Sequence, residues 1–274
     1  MSVSLDNLCV HTITTKPWNL ETAACKFAAA GVKGISIWLD AARGFDGSIS
    51  AAGQMVRSEG LEIVSYVRGG FFPALEATDR QKAIDENKQI IDEAAELGAP
   101  LIVLVVGATA GQSLFDSRQQ ISDGIAAVLP YAEAAGVKLG IEPLHPMYAD
   151  SRSAVSTMGQ ANAICDTLDH PSLGIALDVF HVWWDDQLET QTKIAGEKDR
   201  LFAFHICDWK DQPEDMLNDR GLMGEGVIDI PQIRSWVKAS GFTGYEEVEI
   251  FSNKYWAMDQ DEYLNLIKEA FLKI

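Results

Sequence analysis

Short apolar segments alternate with longer amphipathic segments along almost the whole chain. Eight short segments rich in Val, Ile, Leu and Phe have the length and composition of buried strands. Each is followed by a segment with the 3.6-residue apolar spacing of a helix, and several of these end at a glycine suited to a left-handed cap. The predicted strands span residues 8–13, 34–39, 61–67, 100–106, 138–142, 173–179, 201–207 and 245–250, and the predicted helices span residues 19–30, 48–59, 79–97, 117–135, 153–168, 186–195, 230–240 and 259–272.

Eight strand–helix units in 274 residues average about 34 residues each, the size of a typical βα unit. Strands that alternate with helices predict a parallel sheet, and eight units predict a closed (β/α)8 TIM barrel. The alternative, an open Rossmann-type sheet, would need a glycine-rich turn after the first strand, whereas residues 14–18 read Thr-Thr-Lys-Pro-Trp. Because no linker or change of composition divides the chain, we expect one domain spanning residues 1–274.

The composition restricts the kinds of partner. The chain has 22 Lys and Arg against 40 Asp and Glu, a net charge of −18, which disfavours nucleic acid and anionic membrane surfaces. Four dispersed cysteines, the lack of a signal-peptide pattern and the lack of a membrane-length apolar run predict a reduced, cytoplasmic protein. We therefore expect a small-molecule substrate, no nucleic acid and no membrane. Monomer and homo-oligomer both remain open.

Four of the predicted strands end in an ionisable residue on the face opposite their bulky apolar side chains. In a barrel this face lines the interior, and the strand ends meet at the carboxyl-terminal mouth, where TIM barrels place their chemistry. Three carboxylates held together without a cation would repel one another and bind protons. Their oxygens and one imidazole suit Mn²⁺, and also Mg²⁺, Co²⁺ or Zn²⁺, so we predict one divalent metal ion. The predicted ligands are Glu142, Asp178, His205 and Glu249.

Other residues near the strand ends are candidates for substrate contacts. Trp38 and Trp184 would offer aromatic faces to a sugar ring, although packing beneath the loops would explain them equally well. His145 lies three residues after Glu142 and would hydrogen-bond substrate or act as a base. The alternative interpretation is a purely structural role for this side chain. Glu247 has the same parity as Glu249 but lies one layer deeper, so we predict a buried ion pair there and not a ligand.

The residues around the predicted ligands resemble the sugar phosphate isomerase/epimerase family of xylose-isomerase-like TIM barrels, and are similar to ketose 3-epimerases. The resemblance implies that Glu142 and Glu249 bind the metal and move protons, and that Asp178 and His205 are ligands only. It further implies that His181 contacts substrate, with Arg220 as the nearest candidate for a sugar-binding arginine. The motifs are Gly-Ile-Glu-Pro-Leu-His-Pro (140–146), Leu-Asp-Val-Phe-His-Val-Trp-Trp (177–184), Phe-His-Ile-Cys-Asp-Trp (204–209) and Val-Glu-Ile-Phe-Ser (248–252).

The implied activity is a metal-dependent isomerase or epimerase that acts on a ketose or related carbohydrate through a metal-stabilised enediolate. Basic residues after the seventh and eighth strands are few, namely Lys210, Arg220 and Lys254, so a neutral substrate is favoured over a sugar phosphate. A lyase or dehydratase acting on a keto-sugar or a dehydroshikimate-like substrate is the alternative. An endonuclease of this fold would need more histidines and a basic face, and a binding protein without metal is a further alternative.

Overall fold

The structure, a computed structural model, describes residues 4–274. Its strands pair in chain order, all in parallel, and the last strand closes onto the first to form a barrel. This architecture confirms the (β/α)8 barrel that the alternating pattern predicts. The strands are β1 (Leu8–His11), β2 (Gly34–Trp38), β3 (Glu62–Gly70), β4 (Leu101–Val105), β5 (Lys138–Ile141), β6 (Leu173–Asp178), β7 (Leu201–Ile206) and β8 (Glu246–Val248).

The helices surround the barrel, and a segment of helix lies at each of the eight predicted positions. Three short helices were not predicted, because four or five residues are too few to show a helical period; they follow β2, β6 and β8 at the carboxyl-terminal mouth. The helices are α1 (Leu20–Ala29), α2 (Leu39–Arg43), α3 (Ile49–Ser58), α4 (Ala77–Leu97), α5 (Leu114–Ala134), α6 (Met158–Leu168), α7 (Val179–Val182), α8 (Leu188–Glu197), α9 (Ile230–Ala239), α10 (Asn253–Trp256) and α11 (Gln260–Lys273).

The strands separate a small inner core from a large outer one. The outer core fills the space between strands and helices with bulky side chains such as Ile175, Leu177 and Phe204. The residues that alternate with them face the barrel interior and are small or of moderate size, which leaves room along the axis for polar side chains. The inner cluster consists of Val67, Leu101, Val103, Ala176 and Ala203.

Phe202 departs from the predicted alternation. The sequence pattern places Phe202 on the outer face with Phe204, but Phe202 packs against the inner cluster. The pairing of β7 with β6 skips one residue between Leu201 and Ala203, so Phe202 is an extra residue on its strand. Such a bulge reverses the side of the strand to which the side chains before it point. The residues after the bulge keep the predicted register. Ala203 and His205 therefore keep the predicted inward direction.

Helix α6 begins five residues later than the sequence predicts. The expected start was residue 153, whereas the helix begins at Met158. The Ser153 hydroxyl donates to the Val155 carbonyl at 2.8 Å and accepts from the Val155 amide at 3.1 Å, which stabilises a non-helical turn. Thr157 is the actual N-cap, because its hydroxyl accepts from the Gln160 amide at 3.2 Å.

Two further observations concern the class of protein. Among residues 4–274, no helix is both long enough and apolar enough to cross a membrane. All four cysteines are free thiols, of which Cys9, Cys165 and Cys207 are buried and Cys25 is exposed. Their dispersed positions in the sequence predict free thiols.

Replacing Gly53 with alanine is expected to destabilise the fold, although alanine favours helix. An added Cβ would lie 2.1 Å from the Leu97 carbonyl oxygen, a backbone clash that requires α3 to move away from the end of α4. We expect a loss of about 1–3 kcal/mol in the free energy of unfolding. At Gly159 the nearest atom is 3.4 Å away, so Gly159→Ala should be neutral or gain up to about 1 kcal/mol. Equal effects of the two variants in urea denaturation would contradict this packing.

Candidate metal centre and active site

The carboxyl-terminal ends of β5 to β8 bring four ionisable side chains to one point. Glu142 and Glu249 directly follow β5 and β8. Asp178 and His205 are register partners near the ends of β6 and β7. Each of the four residues is at most 4% exposed, and one ligand atom of each lies within 4.8 Å of the other three. The sequence-predicted ligands therefore form one buried cluster, whose metal-binding role stays a prediction.

Local backbone structure fixes the orientation of two of these carboxylates. Asp178 ends β6 and is the N-cap of α7, where its Oδ1 accepts from the Phe180 amide at 2.9 Å. Its Oδ2 is left to face the other ligands. The Glu142 backbone amide donates to the Leu104 carbonyl at 3.1 Å, so the backbone pairing of β5 with β4 extends to Glu142 itself. Both side chains are thus held by the ends of strands and not by free loops.

Arg220 lies within the cluster. Its Nη1 is 2.9 Å from Asp178 Oδ2 and 3.0 Å from Glu249 Oε2. The guanidinium carbon also lies 4.4 Å and 4.9 Å from the ring centroids of Phe180 and Phe251, which hold the group between two aromatic faces. Arg220 reaches this place from the long connection after β7, where its amide donates to the Phe251 carbonyl at 2.8 Å.

The pKa values of Asp178 and His205 are raised in this buried cluster, whereas those of Glu247 and Glu249 are lowered. Burial, opposed by Arg220 and reinforced by Glu142 and Glu249, raises the pKa of Asp178 to about 7. Burial alone would lower the pKa of His205, but the nearby glutamates raise it to about 10. Without a metal, protons would thus occupy donor atoms that a cation can use. Metal ligands bind in their deprotonated forms, so the three carboxylates and the imidazole fit a divalent cation in place of those protons.

A second buried cluster lies one layer deeper. His11 bridges two glutamates, with Nε2 at 3.1 Å from Glu247 Oε2 and Nδ1 at 3.1 Å from Glu249 Oε1. The hydroxyls of Ser36 and Ser65 donate to the same Glu247 oxygen at 2.6 Å and 3.4 Å. Burial lowers the pKa of His11, but the two glutamates raise it above its ordinary value. The contact between His11 and Glu247 agrees with the buried ion pair expected there, and His11 also orients Glu249. That Glu247 is not a ligand stays a prediction, because His11, His205 and Glu247 also lie close enough together to hold an ion.

Three of the predicted substrate contacts, Trp38, His181 and Arg220, line one cavity with Glu142 and Glu249. Arg220 Nη2 lies 3.1 Å from His181 Nε2. Because a guanidinium only donates, this nitrogen accepts and the proton lies on Nδ1. The His181 Nδ1 is buried and has no partner in residues 4–274. Burial and Arg220 keep the pKa of His181 well below its usual value, so the ring is a neutral donor.

The other two predicted contacts, His145 and Trp184, do not line this cavity. Their rings pack against each other with centroids 5.8 Å apart, and His145 also packs against Trp209 at 4.8 Å. His145 Nδ1 accepts from the Met147 amide at 3.2 Å, and the Trp184 indole donates to the His181 carbonyl at 2.8 Å. Both side chains are engaged in packing and in local turns, so the structure does not bring them to the ligands. Their contact with substrate stays a prediction.

Several residues that line this cavity were not predicted from the sequence, and three of them lie in the long connections at the mouth. Tyr148 and Arg152 belong to the connection between β5 and α6, and Leu217 to the connection between β7 and α9. The Tyr148 hydroxyl donates to the Met216 carbonyl and so joins the two connections. Loop residues carry no hydrophobic period, so the pattern that located the strand ends gives no signal for them.

The barrel agrees with comparisons to known proteins. A family model described as xylose isomerase-like TIM barrel matches residues 26–270. The inosose isomerase of Bacillus licheniformis is 28% identical over 209 residues, which cover 74% of this chain and 73% of that protein. A 3-dehydroshikimate dehydratase of Pseudomonas putida is 28% identical over 248 residues, which cover 89% of this chain but 37% of that protein.

Solved structures share the whole fold. A crystal structure of a Sinorhizobium meliloti 1021 protein matches with a TM-score of 0.94 and 44% identity over 98% of both chains. A crystal structure of the IOLI protein with a bound zinc atom matches with a TM-score of 0.86 and 24% identity over 97% of both chains. The chain belongs to the xylose isomerase-like TIM barrel family.

Replacing Asp178 with asparagine is expected to weaken divalent-metal binding. Wild-type protein should bind one Mn²⁺ per chain in isothermal titration and gain Tm on loading, because the ion binds the folded state. Asp178→Asn removes the negative charge of one ligand. Loss of a residue that only hydrogen-bonds to a ligand lowers metal affinity by roughly 10–100-fold, so we expect at least that loss here. Asp186→Asn, an exposed aspartate, is the control. Equal Mn²⁺ affinity of Asp178→Asn and wild type would contradict the ligand assignment.

Proposed function

We propose that this protein is a divalent-metal-dependent isomerase or epimerase acting on a keto-sugar or related carbohydrate. The observation that carries the proposal is the convergence of Glu142, Asp178, His205 and Glu249 in one buried cluster. Two members of this cluster, Glu142 and Glu249, line a cavity together with His181 and Arg220. The likeness to an inosose isomerase supports the reaction class. The single-domain organisation, the cytoplasmic location and the absence of nucleic-acid and membrane partners stay part of the proposal.

The four cluster residues would hold one metal ion, with Mn²⁺ as our assignment. Three carboxylate oxygens and one imidazole form an oxygen-rich set that suits Mn²⁺ better than the sulfur- and nitrogen-rich sets typical of structural zinc. When bound, the ion supplies Lewis acidity, which makes the C–H bond between a carbonyl and a neighbouring hydroxyl easier to ionise. The zinc atom of the IOLI structure is a property of that protein. Its sequence is 24% identical to this chain, which supports a shared fold only.

Glu142 and Glu249 move the proton. Both line the cavity, and their protein contacts differ. Glu249 has one oxygen bonded by His11 and the other by Arg220. Within residues 4–274, Glu142 has only Oε1 bonded, by His205 Nδ1 at 3.0 Å. The freer carboxylate, Glu142, is the better acceptor for the substrate proton. Glu249, fixed from two sides, is placed to return a proton or to hold the substrate hydroxyl.

His181 and Arg220 position the substrate. The His181 Nδ1–H has no partner in the described part of the chain and would donate to a substrate hydroxyl or carbonyl oxygen. The Nε atom of Arg220 is likewise buried without a partner there. Trp38 lines the same cavity and offers an apolar face to the ring carbons. These groups recognise a polyhydroxylated ring while the carboxylates act on a single C–H bond.

Replacing Glu142 or Glu249 with glutamine should abolish solvent exchange while preserving the fold. Mn²⁺-loaded protein in D₂O is expected to incorporate deuterium into an inosose or a ketohexose, followed by NMR. Each glutamine variant should lose at least about 100-fold in rate, the usual contribution of a positioned acid or base. The exposed Glu189→Gln is the control. A Glu142→Gln enzyme with near-normal exchange would overturn the assignment of the base.

A lyase is the second candidate, supported by the similarity to a 3-dehydroshikimate dehydratase. A lyase needs the same C–H ionisation but then expels a leaving group. The same D₂O experiment separates the two reactions. Deuterium in an otherwise unchanged carbon skeleton marks an isomerase, whereas an unsaturated product formed with loss of water marks a lyase.

A further inference from the structure

The nine arginines of the chain differ in how their charge is compensated. Four form ion pairs with carboxylates, and three others donate to backbone carbonyl oxygens. Arg68 and Arg152 do neither within residues 4–274. The ion-paired arginines are Arg43, Arg200, Arg220 and Arg234, and those bound to carbonyls are Arg57, Arg80 and Arg118.

Arg152 belongs to the cavity of the metal centre. It lines that cavity together with Glu142 and Glu249, and its Nε atom is buried without a partner among residues 4–274. Its backbone is fixed, because its amide donates to the Tyr148 carbonyl and its carbonyl accepts from the Gly107 amide, both at 2.9 Å. The guanidinium is therefore presented from a well-anchored turn.

Arg68 approaches the same place from the neighbouring strand. Arg68 is the extra residue where the register of β3 against β4 shifts, and such bulges redirect side chains beside active sites. It lines a second cavity, which shares Trp38 and Val67 with the cavity of the metal centre. The two cavities therefore adjoin at the barrel mouth.

The charges around these two arginines leave them short of counter-ions. The two adjoining cavities bring Arg68 and Arg152 to the same side of the barrel mouth. Burial and the positive charge of Arg152 lower the pKa of Arg68, and Asp40 and Glu86 only partly oppose this. Asp40 and Glu86 line the outer cavity with Arg68, but neither forms an ion pair with it within the described residues. The buried Nε of Arg152 without a partner is costly, whereas the Arg68 guanidinium lies over the Phe71 ring, 4.3 Å from its centroid. A bidentate oxyanion would give both guanidinium groups hydrogen bonds.

We propose that Arg152 and Arg68 form an anion subsite at the mouth of the metal-centre cavity, so that the substrate carries a carboxylate or phosphate group. The inference rests on the proposed function, because the anion must belong to the molecule whose C–H bond is ionised. It reverses the expectation of a neutral substrate, which considered only basic residues after the seventh and eighth strands. The cations come instead from β3 and from the connection after β5.

Titration of the Mn²⁺-loaded protein with three probes tests the subsite. The probes are a neutral inosose, the carboxylate 3-dehydroshikimate and the phosphate ester fructose 6-phosphate. An anionic probe should bind at least about 10-fold tighter than the inosose, and Arg152→Gln should remove roughly 10-fold or more of that affinity, since bonds between charged groups contribute at this level. Arg68→Gln should act in the same direction, and Arg152→Lys should recover part of the loss.

The controls separate this proposal from the proposed reaction. Lys193→Gln removes one exposed positive charge on α8 and should leave all three affinities within about twofold. In Arg152→Gln the affinity for inosose should fall less than the affinity for the anionic probes. Preference between the two anionic probes tells a carboxylate substrate from a phosphate. Equal binding of neutral and anionic probes, or an equal loss for all probes in Arg152→Gln, would overturn the subsite. Absence of C–H exchange with every probe would overturn the reaction alone.

Discussion

Four carboxylates are buried close to the axis of the barrel, and the surrounding structure compensates their charge. They are Glu142, Asp178, Glu247 and Glu249. Arg220 is a permanent cation in contact with two of them, and His11 and His205 add positive charge only by keeping a proton. Buried charges of one sign are tolerated only when they are paired or bind a metal. A divalent ion, together with charged Arg220 and His11, would balance the four carboxylates and leave His205 neutral.

The barrel supplies the geometry for this arrangement. Small residues such as Gly140, Ala176 and Ala203 line the interior below the ligands, so the polar side chains above them can approach the axis. The deeper pair of His11 and Glu247 connects the ligand layer to β1 and to the serines of β2 and β3. Rigid strands therefore hold the proposed metal ligands, while the connections at the mouth bring the groups proposed to contact substrate. The same division allows relatives of one fold to act on different molecules.

Much of the barrel and its ligand layer could be predicted from the sequence, because both depend on local patterns. The alternation of side chains along a strand determines that Glu142 and Asp178 point into the barrel. The same rule predicts the direction of a side chain wherever the strand pairing is continuous. It was wrong for Phe202, since a bulge depends on pairing with the neighbouring strand. Arg152 was missed for a related reason. Its position in the cavity depends on the path of a loop, and its lack of a counter-ion depends on every side chain around it.

The central claim is that the ends of β5 to β8 hold one divalent ion. Anomalous diffraction from crystals of the Mn²⁺-loaded protein tests it most directly, because the signal locates manganese without reference to the protein. We expect a single strong peak per chain, within bonding distance of one atom from each of Glu142, Asp178, His205 and Glu249. A peak elsewhere, or no peak among these four side chains at saturating Mn²⁺, would contradict it.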